Sequence, residues 1–218
     1  MLTAILFDLD GTLVNTDPIH YKAWQEILRE YGLEINDAFY KKRISGRLNS
    51  VIIPDILPHL SLVEGQQVAE EKEARFRKLA LELKPLAGLS QVLAWADERE
   101  LKRAVVTNAP RKNAYFMLQA LGLTDAFKTV ILAEEAEAGK PDPAPYQLAL
   151  RYLDVNPELV VAFEDSPSGI CSSVGAGIPT IGIASTHNPK QLYNCGAILV
   201  VSDFTALPLW SWLRTQDC

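Results

Sequence analysis

Short apolar runs and longer stretches of helical periodicity divide this sequence into two kinds of territory. The run Ala4-Ile5-Leu6-Phe7 predicts a buried strand that stops abruptly at Asp8, Asp10, Gly11 and Thr12. Asp17-Pro18 then offers a helix cap with proline in the first turn. Ile19, Ala23, Trp24, Ile27, Leu28 and Tyr31 follow at helical spacing as far as Gly32. Helical patterns continue through 37–44, 51–57 and 63–83, broken by Gly46, Pro54, Pro58 and Gly65, and Pro85 and Gly88 close the segment.

From Ser90 the pattern changes. A helix over 91–99 leads to a strand at 104–107, a helix over 112–121 to a strand at 130–132, and a helix over 144–153 to a strand at 160–163. A helix from about Ser168 then precedes a strand at 180–183, and an apolar run at 197–201 and a tail with Trp210 and Trp212 complete the chain. Strands alternating with helices predict an α/β fold with a parallel sheet covered on both faces. The expected organisation is an α/β core of residues 1–14 and 85–218 with an all-helical insert, 15–84, placed directly after the first acidic motif. An insert there is expected to act as a lid over the carboxyl ends of the strands, excluding water and selecting substrate.

Composition narrows the function. At 218 residues and 48 % hydrophobic content, the chain suits one main domain with a modest insert and a packed core. A net charge of −6 and a pI near 5.2 argue against a nucleic-acid surface, and the longest basic run is only Lys41-Lys42-Arg43. Cys171, Cys195 and Cys218 follow no metal-ligand spacing and are expected to be reduced thiols. With no basic and apolar leader, and no apolar stretch near the roughly 20 residues of a membrane helix, a cytoplasmic protein without a membrane partner is expected. A monomer is expected, although no coiled-coil seam marks its helices to fix the oligomeric state.

The chemistry gathers where strands end. Asp8 and Asp10 can both reach the mouth of the sheet, as a metal-assisted nucleophile with a proton-transferring neighbour. Asp-Gly alone is equally ordinary turn punctuation. Thr107-Asn108-Ala109-Pro110 offers a hydroxyl, an amide and free backbone N–H groups ahead of a helix, which serve an anion or simply cap the helix. Lys140 is held between Gly139 and Pro141, which fixes its direction, although a lone loop lysine is commonly a solvated charge. Glu164 and Asp165 end a four-residue apolar strand, where unpaired acids cost several kcal/mol to desolvate, so they need a cation. If these carboxylates converge, each like-charge pair costs on the order of 4 kcal/mol at about 4 Å and an effective dielectric of about 20. A hard divalent ion relieves that repulsion, and oxygen-only ligands suit Mg²⁺.

Taken together, DLDGTL, TNAP, GKPDPAPY and FEDSPSG resemble, in order and across residues 7–169, the motifs of the haloacid-dehalogenase-like hydrolases. The resemblance implies a Rossmann-like three-layer core with a helical cap. It also implies Asp8 as nucleophile and Asp10 as general acid/base, with Thr107, Asn108 and Lys140 holding the phosphoryl group. A Mg²⁺ would be bound by Asp8, the backbone carbonyl of Asp10, Asp165 and Glu164. The position of the insert is similar to the subgroup containing β-phosphoglucomutase, phosphoglycolate phosphatase and sugar phosphatases. DPIHYKAW, ISGRLNS, LKRAVVTNAP and AFEDSPSG look most like the sugar phosphatases.

The presence of Asp10 favours phosphoryl transfer over dehalogenation in that family. The expectation is a Mg²⁺-dependent phosphatase acting on small phosphorylated sugars or polyols, with His20, Arg47 and Asn49 as candidate substrate contacts. One alternative is a β-phosphoglucomutase-type mutase. The loop Gly46-Arg47-Leu48-Asn49-Ser50 departs from the mutase pattern, because its arginine follows the glycine directly. A second alternative is a receiver-like phospho-aspartate signalling domain, which has no need of a long helical insert after its first strand. Neither GxGxxG nor GxxxxGK[ST] is present.

Overall fold

The computed structural model describes residues 1–80 and 82–217, so Cys218 lies outside the described residues. The chain begins with β1 (Ala4–Phe7) and passes through α1 (Asp17–Glu30), α2 (Asp37–Arg43), α3 (Asn49–Ile56) and α4 (Leu62–Leu79). It continues with α5 (Leu89–Glu98), β2 (Lys102–Thr107), α6 (Arg111–Ala120), β3 (Thr129–Leu132), α7 (Ala144–Leu153) and β4 (Val160–Glu164). It ends with α8 (Pro167–Gly175), β5 (Thr180–Ile183), α9 (Pro189–Asn194), β6 (Leu199–Val201) and α10 (Leu207–Arg214). Met1–Asn15 and the chain from Lys84 onward form one compact unit, and Thr16–Leu83 forms another.

In the first unit the described strands form one six-stranded sheet in the order β3-β2-β1-β4-β5-β6, with every pair parallel. The order reverses at β1: the chain first builds outward through β2 and β3, then returns to lay β4 on the other side of β1. A crevice opens at the carboxyl ends of strands at such a switch point, where ligands collect. Register places the chemistry level across it, because Phe7 pairs with both Val105 and Phe163. The ladder runs one residue further, the Asp8 N–H donating to the Phe163 carbonyl at 3.0 Å.

Alternation along the strands divides the core. Ala4, Leu6, Ala104, Val106, Val160 and Ala162 face one layer, where Tyr146, Ala149, Leu150 and Leu153 of α7 cover them. On the other face Phe7 stacks on Phe163 at 5.3 Å, and Phe127 and Phe204 meet this pair edge-on at 5.5 and 5.2 Å. The residues just before Asp8 and just before Glu164 are therefore locked to each other.

The second unit has its own core, in which Trp24, Ile27 and Leu28 of α1 pack with Tyr40, Ile52 and Val68. Two residues read as breaks lie inside helices. Gly65 is in the first turn of α4, whose start is set by a capping box between Ser61 and Glu64; a Cβ there would lie 3.3 Å from Ile53 Cγ2, so close packing on α3 favours glycine. Pro54 lies within α3, which continues only to Ile56. β2 starts at Lys102, two residues before the apolar run, because its backbone pairs with Ala4 of β1 and its N–H donates to the Thr3 carbonyl at 3.0 Å, while its ammonium reaches the Leu153 carbonyl at 2.5 Å. α9 is too short for periodicity to reveal, although Asn188, Pro189 and Gln191 form its cap. The tail around Trp210 is the helix α10, and the 197–201 run contributes only Leu199–Val201 to the sheet. Cys171 and Cys195 are free thiols. No helix among the described residues is long and apolar enough to cross a membrane.

The aromatic stack generates a prediction. Phe163→Ala should destabilise the protein by about 3–5 kcal/mol, as for truncation of a fully buried phenylalanine, and lower the urea midpoint at unchanged slope. A loss below about 1 kcal/mol would show that the stack does not hold the two acid-bearing strands together.

Candidate active site

Each strand near the switch point delivers a polar residue at its carboxyl end: Asp8 after β1, Thr107 closing β2, and Glu164 with Asp165 at the end of β4. All four are buried, and Glu164 is fully so. Lys140, from the loop before α7, enters the same space. Its ammonium donates to Asp8 Oδ1 at 2.7 Å, to Glu164 Oε1 at 2.5 Å and to the Val106 carbonyl at 2.7 Å, which uses all three of its protons. Asn108 braces that loop: its Nδ2 donates to the Lys140 carbonyl at 3.1 Å and its Oδ1 accepts from the Lys140 N–H at 3.0 Å. The Thr107 hydroxyl accepts the Ala109 N–H at 3.0 Å, leaving its own proton available.

The electrostatics are those of crowded acids. Burial, opposed by Lys140 and reinforced by Glu164 and Asp10, pushes the Asp8 carboxyl up from 3.8 to about 7. Burial, with the charges of Asp8 and Glu164, also holds Asp165 well above the usual carboxylate range. Burial would lower the Lys140 ammonium, but Asp8 and Glu164 outweigh it and push it up to about 12, so it stays charged. Tyr146 of α7 donates to Glu164 Oε1 at 2.6 Å, and burial followed by the Glu164 charge raises its phenol.

This donor set fits a divalent cation. Asp8, Glu164 and Asp165 each bring a carboxylate oxygen within 4.8 Å of the others, and Glu164 Oε2 is buried without a hydrogen-bond partner. Three acids against one lysine leave a net negative pocket, and the ligands are hard oxygens. Two glycines make room for it. At Gly11 (φ +84°) an added Cβ would collide with the Asp165 carboxylate, and at Gly169 with that of Glu164.

Asp10 is half-buried and outside the three-acid group, and its charge is among those that lift Asp8. It sits in a tight loop in which the Gly11 N–H donates to the Val14 carbonyl at 2.7 Å and the Leu13 N–H to the Leu9 carbonyl at 2.9 Å. Val14 in turn bridges to Pro85, so the chain leaves this unit and rejoins it side by side.

The remaining predicted residues belong to the helical unit. His20 Nδ1 accepts from the Lys72 ammonium at 2.8 Å, and its ring stacks on Phe76 at 4.1 Å. Lys72 also donates to Glu73 Oε1 at 2.8 Å, and Asn49 Nδ2 reaches the same oxygen at 2.6 Å. His20 and Asn49 thus share one network around the buried Lys72–Glu73 pair, while Arg47 does not join it: its guanidinium donates to Asp55 at 2.8 Å and to the Arg43 carbonyl at 2.5 Å. Sequence reasoning missed Lys72 and Glu73, which lie in the charged run Glu70-Glu71-Lys72-Glu73 of α4. It also missed Tyr146, although GKPDPAPY contains it, and the polar triplet Ser185-Thr186-His187.

The raised Asp8 carboxyl sets a pH dependence for the cation-free protein. A folded-state value near 7 against 3.8 means the folded state keeps a proton that the unfolded chain loses. That contribution to stability is complete below pH 3.8 and lost as pH rises through 7. Urea unfolding in EDTA should therefore show stability falling across this window, and Asp8→Asn should flatten the fall. Stability that rises from pH 4 to pH 7 in EDTA, unchanged by Asp8→Asn, would contradict this account.

Comparison with known proteins agrees with the geometry. Residues 5–183 match the family model described as haloacid dehalogenase-like hydrolase. A phosphorylated carbohydrates phosphatase of Thermotoga maritima is 32 % identical over 207 residues, covering 92 % of this chain and 94 % of the relative. The β-phosphoglucomutase of Bacillus subtilis is 26 % identical over 231 residues, covering 99 % of each. A crystal structure of a HAD hydrolase from Entamoeba histolytica superposes with a TM-score of 0.88 at 27 % identity, covering 98 % of this chain and 100 % of that one. With an acid-bearing switch point at its centre and a family match across most of its length, this chain belongs to the haloacid dehalogenase-like hydrolases.

Proposed function

We propose that this protein is a Mg²⁺-dependent phosphatase of small phosphorylated sugars or polyols, working through an aspartyl-phosphate on Asp8. The observation that carries the reading is the Lys140 ammonium bridging Asp8 and Glu164 beside Asp165, where the sheet order reverses. The charged Lys140 opposes the burial that raises Asp8 and so favours the anion a nucleophile must be, and it offsets the charge of an incoming phosphoryl group. Asp8, the Asp10 backbone carbonyl, Glu164 and Asp165 would hold Mg²⁺, which would supply the remaining charge neutralisation for the phosphoryl group.

Asp8 attacks phosphorus in line. Its carboxylate oxygen forms the new P–O bond as the bond to the sugar oxygen breaks, and protonated Asp10 gives its proton to the departing alkoxide. Asp10, now a carboxylate, takes a proton from water as that water attacks the aspartyl-phosphate. Inorganic phosphate leaves, and both aspartates return to their starting states. The free Thr107 proton donates to a phosphoryl oxygen, and Asn108 both fixes the Lys140 loop and has a second Nδ2 hydrogen for the same group. The helical unit, with the His20, Lys72, Glu73 and Asn49 network, governs which alcohol is accepted.

The mutase alternative needs an open cation for a second phosphate. Arg47 is already paired with Asp55, which favours hydrolysis. Membership of the hydrolase family sets the receiver-like alternative aside.

Phosphate release should be measured from a panel of sugar, glycerol and glycolate phosphates, in Mg²⁺ or in EDTA. Release from several sugar phosphates that EDTA abolishes is expected. Asp8→Asn should lose turnover by several orders of magnitude, and full turnover in that variant would sink the mechanism. Asp10→Asn should fall on the order of 10²–10⁴-fold and accumulate a phosphoprotein, because the base for its hydrolysis is gone. Exchange of glucose phosphate isomers in the presence of a bisphosphate, with little release, would instead select the mutase.

A further inference from the structure

The segment between β5 and α9 carries three consecutive polar side chains that the family motifs do not include. It is tied down at both ends: the Ala184 N–H donates to the Val201 carbonyl at 2.7 Å, and Asn188 caps α9 through the Lys190 N–H at 2.9 Å. Between these anchors the Ser185 hydroxyl donates to the Gly11 carbonyl, and the Thr186 hydroxyl donates to Oδ2 of Asp165. Nδ1 of His187 lies 2.8 Å from Thr186 Oγ1. Ser185 thus holds the nucleophile loop while Thr186 holds the acid after β4, and the two contacts come from adjacent residues.

Proton counting orients the chain of contacts. A threonine hydroxyl has one proton. With that proton on Asp165, its oxygen accepts from the His187 ring, so Nδ1 is the protonated nitrogen. The relay runs from His187 N–H to the Thr186 oxygen and from Thr186 O–H to the carboxylate. A hydroxyl aimed at a carboxylate favours its ionised, ligand-competent form and fixes which oxygen is left for another partner. The occupied oxygen is Oδ2, the atom that faces Gly11, where an added Cβ would strike it. Asp165 is consequently held at one oxygen by Thr186 and confined by the Gly11 backbone, which leaves Oδ1 as its free ligand atom.

We propose that Thr186, backed by His187, is a positioning residue that holds the Asp165 carboxylate in the cation-binding orientation, with Ser185 fixing the Gly11 end of the same site. The role rests on the divalent-cation reading of Asp8, Glu164 and Asp165. Thr186 touches neither substrate nor cation; it acts through Asp165.

The test is Mn²⁺ binding to the full chain, followed by electron paramagnetic resonance in the absence of substrate, for wild type, Asp165→Asn, Thr186→Val, Thr186→Ser and His187→Leu. Thr186→Val keeps the shape and removes the hydroxyl. It should weaken Mn²⁺ about 10–100-fold, the range for outer-sphere partners of metal ligands, and raise the Mg²⁺ concentration for half-maximal activity by a like factor. Thr186→Ser should restore wild-type binding, and His187→Leu should weaken it less than Thr186→Val. Thermal unfolding verifies that each variant is folded; if the valine variant is not, the serine and leucine variants carry the comparison. Wild-type Mn²⁺ affinity in Thr186→Val and His187→Leu, with binding lost in Asp165→Asn, would overturn the role of Thr186 alone. A wild-type protein that binds no Mn²⁺ would overturn the cation site itself and this role with it.

Discussion

The architecture depends on one buried ammonium. Lys140 meets Asp8, Glu164 and a main-chain carbonyl, so that two acids from adjacent parallel strands share a counter-charge from a third segment. Removing it would leave like charges a few ångströms apart in a space that excludes water, the costliest arrangement a core can contain. Retaining it still leaves an excess of negative charge. The protein thus holds a pocket stable enough to fold yet electrostatically incomplete, a donor set that suits a divalent cation.

The sheet makes this arrangement repeatable. Parallel pairing in fixed register sets Phe7 level with Phe163, and the ring stack beneath the crevice removes the freedom of either strand to slide. The carboxylates at the strand ends inherit that rigidity. The placement of the acids at the rim is therefore a property of the apolar layer below it, and loop segments such as the one carrying Lys140 are braced by dedicated hydrogen bonds such as the Asn108 clasp.

Much of this was legible along the chain, and the reasons for the rest are physical. Apolar runs that end in acids, a hydroxyl or a glycine mark strand ends, and Asp8, Lys140, Glu164 and Asp165 meet because parallel strands bring such ends to one side. Lys72 and Glu73 escaped notice because local polarity in Glu70-Glu71-Lys72-Glu73 reads as a solvated face, whereas both are buried against partners remote in sequence. Tyr146 and Thr186 gain their roles only through proximity, and a single hydroxyl leaves no periodic trace. Gly65 and Pro54 were read as interruptions because propensity is local, while the capping box at Ser61 and packing between α3 and α4 decide the helices.

The bridge between Val14 and Pro85 has a consequence for how such a chain can change over time. Because departing and returning strands are stitched together, the excursion between them is a closed loop as far as the remaining fold is concerned. Loop-closure entropy grows only logarithmically, about 0.6 kcal/mol for each doubling of length. Lengthening or shortening the excursion therefore changes the closure cost for the sheet unit only slightly. The helical excursion can thus be exchanged as a block while the strand-end geometry of the sheet unit is inherited intact.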